Sequence, residues 1–350
     1  MAFIKPRIPL PTQVFLLDHL RVMLRAGISL SRCLESLAEH AEQRRIGETL
    51  GTLRAAVERG SSFAEQLAAS PGLFPSVVIE LIRAGEATGS LESALTEAAA
   101  HLRKTHELRS RVRGALMYPA IVLSAMVVLG VGVVVFILPK LLDLFRGVTV
   151  PLPLPTRVLL ALSDAITRHG IVVGAVAVAV IAALIAAARS DPGRSVSHRL
   201  LLRLGRLGRI AREVNIARIT RTLSGLLRTD IPIVRSLELT AATLTNVHYR
   251  AALVAAAAAV ARGGTLADAL RRHRTLFPPT VIQMVAVGEE AAALDRLLAD
   301  VADFYESDVD LSLQNLTTII EPLLMLAIGA AVGFLAVAVL QPMYTVAQAI

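Results

Sequence analysis

The chain contains no tryptophan, one cysteine and few aromatic residues, 4% of its 350 positions. Without tryptophan there is no strong indole belt to mark a membrane interface. A single cysteine, Cys33, excludes an internal disulfide framework and a multi-cysteine metal site. On the apolar side of its helix it reads as a packed side chain rather than a reactive thiol. No G-x-x-x-x-G-K-[ST] loop is present, which argues against ATP hydrolysis by that route, and there is no H-E-x-x-H. The eight histidines are scattered, and His101 and His106 stand five apart, a spacing that does not share a helix face. Each reads as structural or solvated. No catalytic, cofactor-binding or metal-binding constellation emerges from the residues.

What the chain does have is apolar length. It is 54% hydrophobic and 18% charged, with a mean hydropathy of +0.61, too apolar for an ordinary soluble domain and too charged for a wholly embedded transporter. Ala120 to Leu138, between Pro119 and Pro139, carries no charge. As a helix it would span roughly 28 Å, about one hydrocarbon core. Leu323 to Gln341 lies in the same way between Pro322 and Pro342, and Ile171 to Ala188 is a third uncharged run. No charge in mid-span argues against an ion path or proton relay. The net charge of +8 reads first as cytoplasmic loops obeying the positive-inside rule. Nucleic acid is not expected, because the arginines lack interleaved aromatics. Arg189, Arg194, Arg199, Arg203, Arg206, Arg209 and Arg212 follow the second run and place it running back into the cytoplasm. The N-terminus is then inside, 140–169 outside, 189–320 inside and the C-terminus outside. Arg199, Arg203, Arg206 and Arg209 are spaced as one basic helix face, for the anionic leaflet or for solvent. MAFIKPRIPLP does not read as a signal peptide.

Pro322 repeats Pro119 at a shift of 322 − 119 = 203, and the upstream sequence repeats at the same shift: Arg25 with Arg228, Ile28 with Ile231, Gly60 with Gly263, Leu73-Phe74-Pro75 with Leu276-Phe277-Pro278, Gly85-Glu86 with Gly288-Glu289. There is no insertion from Arg25 to Pro139. In the first copy, Thr12 reads as an N-cap, Ala26-Gly27-Ile28 as a break and Ser29 as the next cap. Ser62-Phe63-Ala64-Glu65 reads as a capping box, repeated as Thr265-Leu266-Ala267-Asp268. Pro75 opens a fifth helix and Gly89-Ser90 starts a sixth that leads to the first span. The expected fold is an all-α membrane protein with two repeated cytoplasmic six-helix bundles and three transmembrane helices. Its expected division is an N-terminal tail (1–14), first bundle (15–118), first span (119–139), extracytoplasmic loop (140–169), second span (170–188), basic juxtamembrane segment (189–214), second bundle (215–321), third span (322–342) and extracytoplasmic C-terminus (343–350). Both repeat-ending spans then run the same way, a parallel duplication rather than an inverted one.

Two groups of residues stand out. Gly85, Glu86 and Gly89, with their copies Gly288 and Glu289, place a carboxylate beside a glycine just before each long helix. They read either as a helix stop with Glu86 solvated or bonded to a neighbouring helix N-terminus, or as a contact coupling bundle to span. Gly329 and Gly333, like Gly170 and Gly174, are small-xxx-small pairs suited to close helix packing.

The stretches LRAGISLSRCLESL, LFP, RAGEATGSL, MYPAIV and PLPLPTRVLLALSD, with LLRTDIPIVRSLEL, LFPPTVIQMVAVGEEAAAL and EPLLMLAIGAAVG in the second copy, resemble the type II secretion F family over about residues 15–345. These are inner-membrane platform proteins of type II secretion and type IV pilus machines. The resemblance implies a non-enzymatic, bacterial inner-membrane, multi-pass protein with a cytoplasmic N-terminus. Its implied partners are a cytoplasmic assembly ATPase, pilin or pseudopilin subunits, other inner-membrane components of the machine, the lipid bilayer and further copies of itself. A membrane scaffold or a transporter unrelated to secretion is the alternative. The second copy departs from the family pattern where Asp230 replaces the glycine of Ala26-Gly27 and where Ala292 stands in place of Gly89, which suggests looser sequence demands there.

Overall fold

A computed structural model describes residues 8–70, 72–137 and 190–347, together with nine helical positions between 172 and 187. The loop at 140–169, half of the second apolar run, and Gly170 with Gly174 lie outside the described residues. Among those described, the chain is helical and contains no strand. The first copy supplies α1 (Leu10–Arg25), α2 (Leu30–Glu39), α3 (Arg44–Glu58), α4 (Phe63–Ala68), α5 (Ser76–Ala87) and α6 (Leu91–Gly132), which passes into a π turn at Val133–Ile137. After α7 (Asp191–Arg203) come α8 (Gly205–Arg228), α9 (Ile233–Thr243), α10 (Val247–Ala261), α11 (Leu266–Arg271), α12 (Pro279–Glu290) and α13 (Leu294–Ala347). The starts of α2 to α6 and of α9 to α13 are related by the shift that relates the two sequence copies.

Local chemistry explains that agreement. Ser62 Oγ accepts from Glu65 N at 3.3 Å, and Thr265 Oγ from Asp268 N at 3.1 Å, so each short helix is capped alike. Pro75 and Pro278 are the N-caps of α5 and α12, where the missing N–H is not needed. Helix α1 begins at Leu10 instead of after Thr12, because Pro11 is also tolerated in a first turn. Residues 10–14, expected as tail, are therefore helical, and Gln13 is buried with its Nε2 donating to Ile8 O at 3.2 Å.

Residues 1–111 and 198–310 form one compact unit, and 112–197 with 311–350 form another. The first unit has two apolar clusters. One gathers Leu17, Leu20, Leu34, Leu50, Phe63 and Leu81, with Cys33 packed among them and its Sγ turned to Ile28 O. The other gathers Leu237, Tyr249, Leu253, Leu266, Phe277 and Val285, with the Tyr249 hydroxyl donating to Leu276 O at 2.8 Å. Each fully buried leucine contributes roughly 2 kcal/mol.

The second unit contains the apolar ends of α6 and α13. These are two helices long and apolar enough to cross a membrane, and the most apolar windows, of mean hydropathy 2.1 and 2.2, are almost entirely exposed. Pro119 and Pro322 do not begin new helices; each lies inside one. A proline costs one N–H rung, and an apolar helix carries on past it because its other rungs remain closed. The expected basic face fails for a related local reason. Leu204 breaks the helix, with ψ of 76°, and Gly205 has a φ of 28°, so Arg199 and Arg203 belong to α7 while Arg206 and Arg209 belong to α8.

Candidate functional site

At the end of α5, Glu86 reaches the start of α4. Its carboxylate accepts from Phe63 N at 2.7 Å, from Ala64 N at 2.9 Å and from Ser62 Oγ at 2.8 Å. Those amides have no partner inside their own helix, and a carboxylate there also meets the positive end of the helix dipole. The arrangement recurs in the second copy, where Glu289 accepts from Leu266 N at 2.5 Å and Ala267 N at 2.9 Å. Each carboxylate thus clasps two helices that are separated by a turn.

The neighbouring glycines do two different jobs. Gly85 lies within α5 and does not terminate it; a Cβ there would stand 2.2 Å from the Ala94 Cβ, so the glycine lets α6 approach α5. Gly288 does the same for Leu294, whose Cα would be 3.0 Å away. Gly89, with φ of 71°, makes the left-handed exit from α5. At the equivalent place Ala292 has φ of 50°, and Asp230, opposite Gly27 with φ of 81°, has φ of 58°. The second copy keeps the left-handed turns without the glycines. Its backbone demands are equal to those of the first and are met under strain. Asp230, Ala292 and Glu289 border an open groove of about 610 Å³, with Arg228 and Asp295 also in its wall.

A second polar region, not singled out by sequence patterning, joins the copies. Arg235 of α9 donates to Glu80 of α5 at 2.8 Å, and Glu80 also accepts from Arg83 at 2.6 Å. Lys104 of α6 donates to Glu306 of α13 at 3.2 Å, and Arg111 pairs with Asp310. Glu306 also accepts from Arg221 Nε at 2.8 Å, and Arg221 pairs with Asp303. His101 sits in this seam. Burial, reinforced by Arg221 and Arg218, lowers its pKa to about 4 and keeps the ring neutral. Burial raises the pKa of Glu97, opposed by Arg228 and Arg221. The Arg235–Glu80 and Lys104–Glu306 contacts join residues 155 and 202 positions apart, and no local sequence signal points to them.

Gly329 and Gly333 lie on α13, where an added Cβ would meet nothing within 4 Å. Among the described residues no group of three or more His, Cys, Asp or Glu could hold a metal ion.

The family model for the type II secretion system (T2SS) protein F matches twice, at residues 16–139 and 219–342, in the same register as the repeated helices. The chain belongs to this family. It is 37% identical over 332 residues to the type IV pilus assembly protein PilC of Thermus thermophilus, covering 94% of this chain and 80% of that one. Identity is 32% to the protein of the same name from Myxococcus xanthus, over 94% and 78% of the two chains. The type II secretion system protein F of Pseudomonas aeruginosa is 29% identical, over 94% and 81%. Members of the family with both pilus and secretion names therefore match this chain along nearly its whole length. The clasps, the seam and the two apolar helices all lie inside the twice-matched segments or at their borders.

Proposed function

We propose that this protein is the inner-membrane platform of a type IV pilus or type II secretion machine. In this reading two cytoplasmic six-helix bundles meet a soluble assembly ATPase, three spans hold the chain in the bilayer with its N-terminus inside, and pilin or pseudopilin subunits pass from the membrane to a filament beside it. Other inner-membrane components of the machine and further copies of the chain complete its partners, and the protein itself performs no catalysis. The observation that carries the proposal is the double family match, to relatives named for pilus assembly and for secretion. The continuity of α6 and α13 supports a coupling role, since each begins among the packed helices and ends in an apolar, exposed window. The Glu86 and Glu289 clasps would hold the helices before α6 and α13 as blocks, so that movement of a bundle is passed to its span. Gly329 and Gly333 are proposed as packing surfaces between spans.

The test is crosslinking in native membranes followed by purification and identification of the attached proteins. An assembly ATPase together with prepilin-like subunits is the expected result. Efficient crosslinking to other membrane proteins with neither of these would move the reading to a general scaffold. Deletion of the gene then separates the machines: loss of surface pili with normal secretion identifies a pilus platform, and the reverse identifies a secretion platform.

A further inference from the structure

Within the packed unit the equivalent helices α6 and α13 meet through Lys104–Glu306 and Arg111–Asp310. Beyond that pair the two copies use different faces: the first copy offers α5 and the start of α6, and the second offers α8 and α9. Glu80 accepts from Arg235, and Leu226, Ile231 and Leu239 complete the apolar cluster of the first copy. Glu97 of α6 lies so close to Gly225 of α8 that a Cβ there would stand 2.9 Å from its Oε1. Under the shift between the copies α5 and α6 become α12 and α13, while α8 and α9 become α1 and α2. No reciprocal packing of α12 on α1 or α2 of comparable extent occurs among the described residues. The contact is therefore heterologous, and it leaves one face of each kind uncovered.

Those two faces carry exposed apolar side chains. Phe15, Val22 and Ile28 stand out on α1 and just before α2, and Val287 and Phe304 on α12 and α13. Ile28 is 38% exposed where its counterpart Ile231, covered by the other copy, is 8% exposed. Phe304 is 63% exposed where its counterpart His101 is half-buried in the seam. Leu200, Leu204, Leu207 and Val254 are also exposed in this unit but lie on neither face. The exposed charges differ in sign as well: Arg25 and Arg32 accompany the first face, with Arg25 also 3.9 Å from Glu92, and Glu290 and Asp300 accompany the second, beside Arg296. Inside the chain Glu97 lies in the field of Arg228; the shifted residues are Asp300 and Arg25, both exposed.

We infer that a second copy of this chain docks its α12–α13 face on the α1–α2 face of the first, repeating between chains the contact already made within one. Arg25 then faces Asp300 of the neighbouring copy, and Phe304 and Val287 cover Val22, Phe15 and Ile28. Copies added in this way make a ring or an open row, not a two-fold dimer. The inference rests on the self-association proposed above and specifies its surface.

The experiment uses full-length protein in native membranes with Arg25→Cys and Asp300→Cys in one chain, treated with a short bismaleimide. Cys33 is fully buried and remains in place as a silent background, checked in the unaltered chain. The expected result is a ladder of dimers, trimers and larger species that neither single variant forms. Arg25→Asp should lower the assembled fraction at least tenfold in nanodiscs, and Arg25→Asp with Asp300→Arg should restore it. Crosslinks between two residues 25 in the single variant, without the ladder, would overturn the inference in favour of a two-fold contact. Adducts with other proteins and none between copies would assign the faces elsewhere. Assembled protein lacking any 25-to-300 crosslink would overturn this docking alone, whereas a monomer in every assay would overturn self-association with it.

Discussion

Arg221 donates to Glu306 at 2.8 Å, and in the first copy the same two positions are Asp18 and Arg103, joined at 2.7 Å with the charges exchanged. Both copies thus close the first helix of the set onto the last one by an ion pair, but with opposite polarity. The exchange places a carboxylate, Glu306, where Lys104 of the first copy can also reach it. A pair of the original polarity would have put an arginine opposite that lysine. Sign reversal converts a bond within one copy into a link between two.

The two pairs should differ in strength. Arg221 and Glu306 have side chains 18% and 15% exposed, whereas Arg103 is 51% exposed. Arg221→Ala leaves Glu306 and Asp303 short of their partner and is expected to cost about 2 kcal/mol, against less than about 1 kcal/mol for Arg103→Ala. Thermal unfolding of the full chain in nanodiscs measures both, and equal losses would mean that burial does not set the difference.

Replacing Ala292 with glycine should stabilise the protein. A left-handed alanine costs roughly 1–2 kcal/mol, part of which is offset by the greater freedom of glycine in the unfolded chain. Ala292→Gly is expected to gain about 1 kcal/mol, and Asp230→Gly less, since aspartate tolerates that conformation better. A lowered midpoint for Ala292→Gly would show that its methyl group contributes more by contact than it costs in strain.

Glu86→Gln and Glu289→Gln keep the shape of the clasp but replace one accepting oxygen by an NH₂ group that faces another donor. The charge-assisted bonds lost correspond to about 1–3 kcal/mol each. Hydrogen exchange should accelerate at Phe63 and Ala64 in the first variant and at Leu266 and Ala267 in the second. Unchanged protection at those amides would mean that the carboxylates do not hold them.

His101 gives the chain an acid sensitivity. Its folded pKa of about 4 lies below the ordinary 6.5, so the unfolded chain takes up the proton first. The contribution is complete above pH 6.5 and is lost as the pH falls from 6.5 to about 4, a change of at most ~3 kcal/mol. The groups around the ring are Arg218 and Arg221 on α8, Lys104 on α6 and Glu306 on α13. The stability difference between the unaltered protein and His101→Gln should shrink over that interval. A difference independent of pH would mean that the ring is as free to protonate in the folded chain as in the unfolded one.

Features governed by neighbours in sequence were legible from residue order alone. The caps at Ser62 and Thr265, the prolines at Pro75 and Pro278 and the duplicated register depend on residues within a turn of each other, and five helix starts in each copy follow the shift. Glu86 was visible as a candidate, with its destination among two open readings, because its partners lie 22 to 24 positions away across a turn. The left-handed Asp230 and Ala292 were misjudged by residue type, although their alignment with Gly27 and Gly89 carried the needed signal. The seam was not legible, since Glu80, Arg235, Glu97 and His101 acquire meaning only when two copies pack. At Pro119 and Pro322 the local rule that proline interrupts a helix gives way inside a long apolar one.

Those two prolines also set the mechanics of the helices that contain them. A missing rung, with the ring displacing the carbonyl four residues before it, makes one point of a long helix easier to bend than the rest. Both α6 and α13 have that compliant joint at the equivalent place, the entrance to the apolar run. Flexure at Pro119 or Pro322 would change the direction of the apolar run that follows it, at the same position of the repeat in both helices.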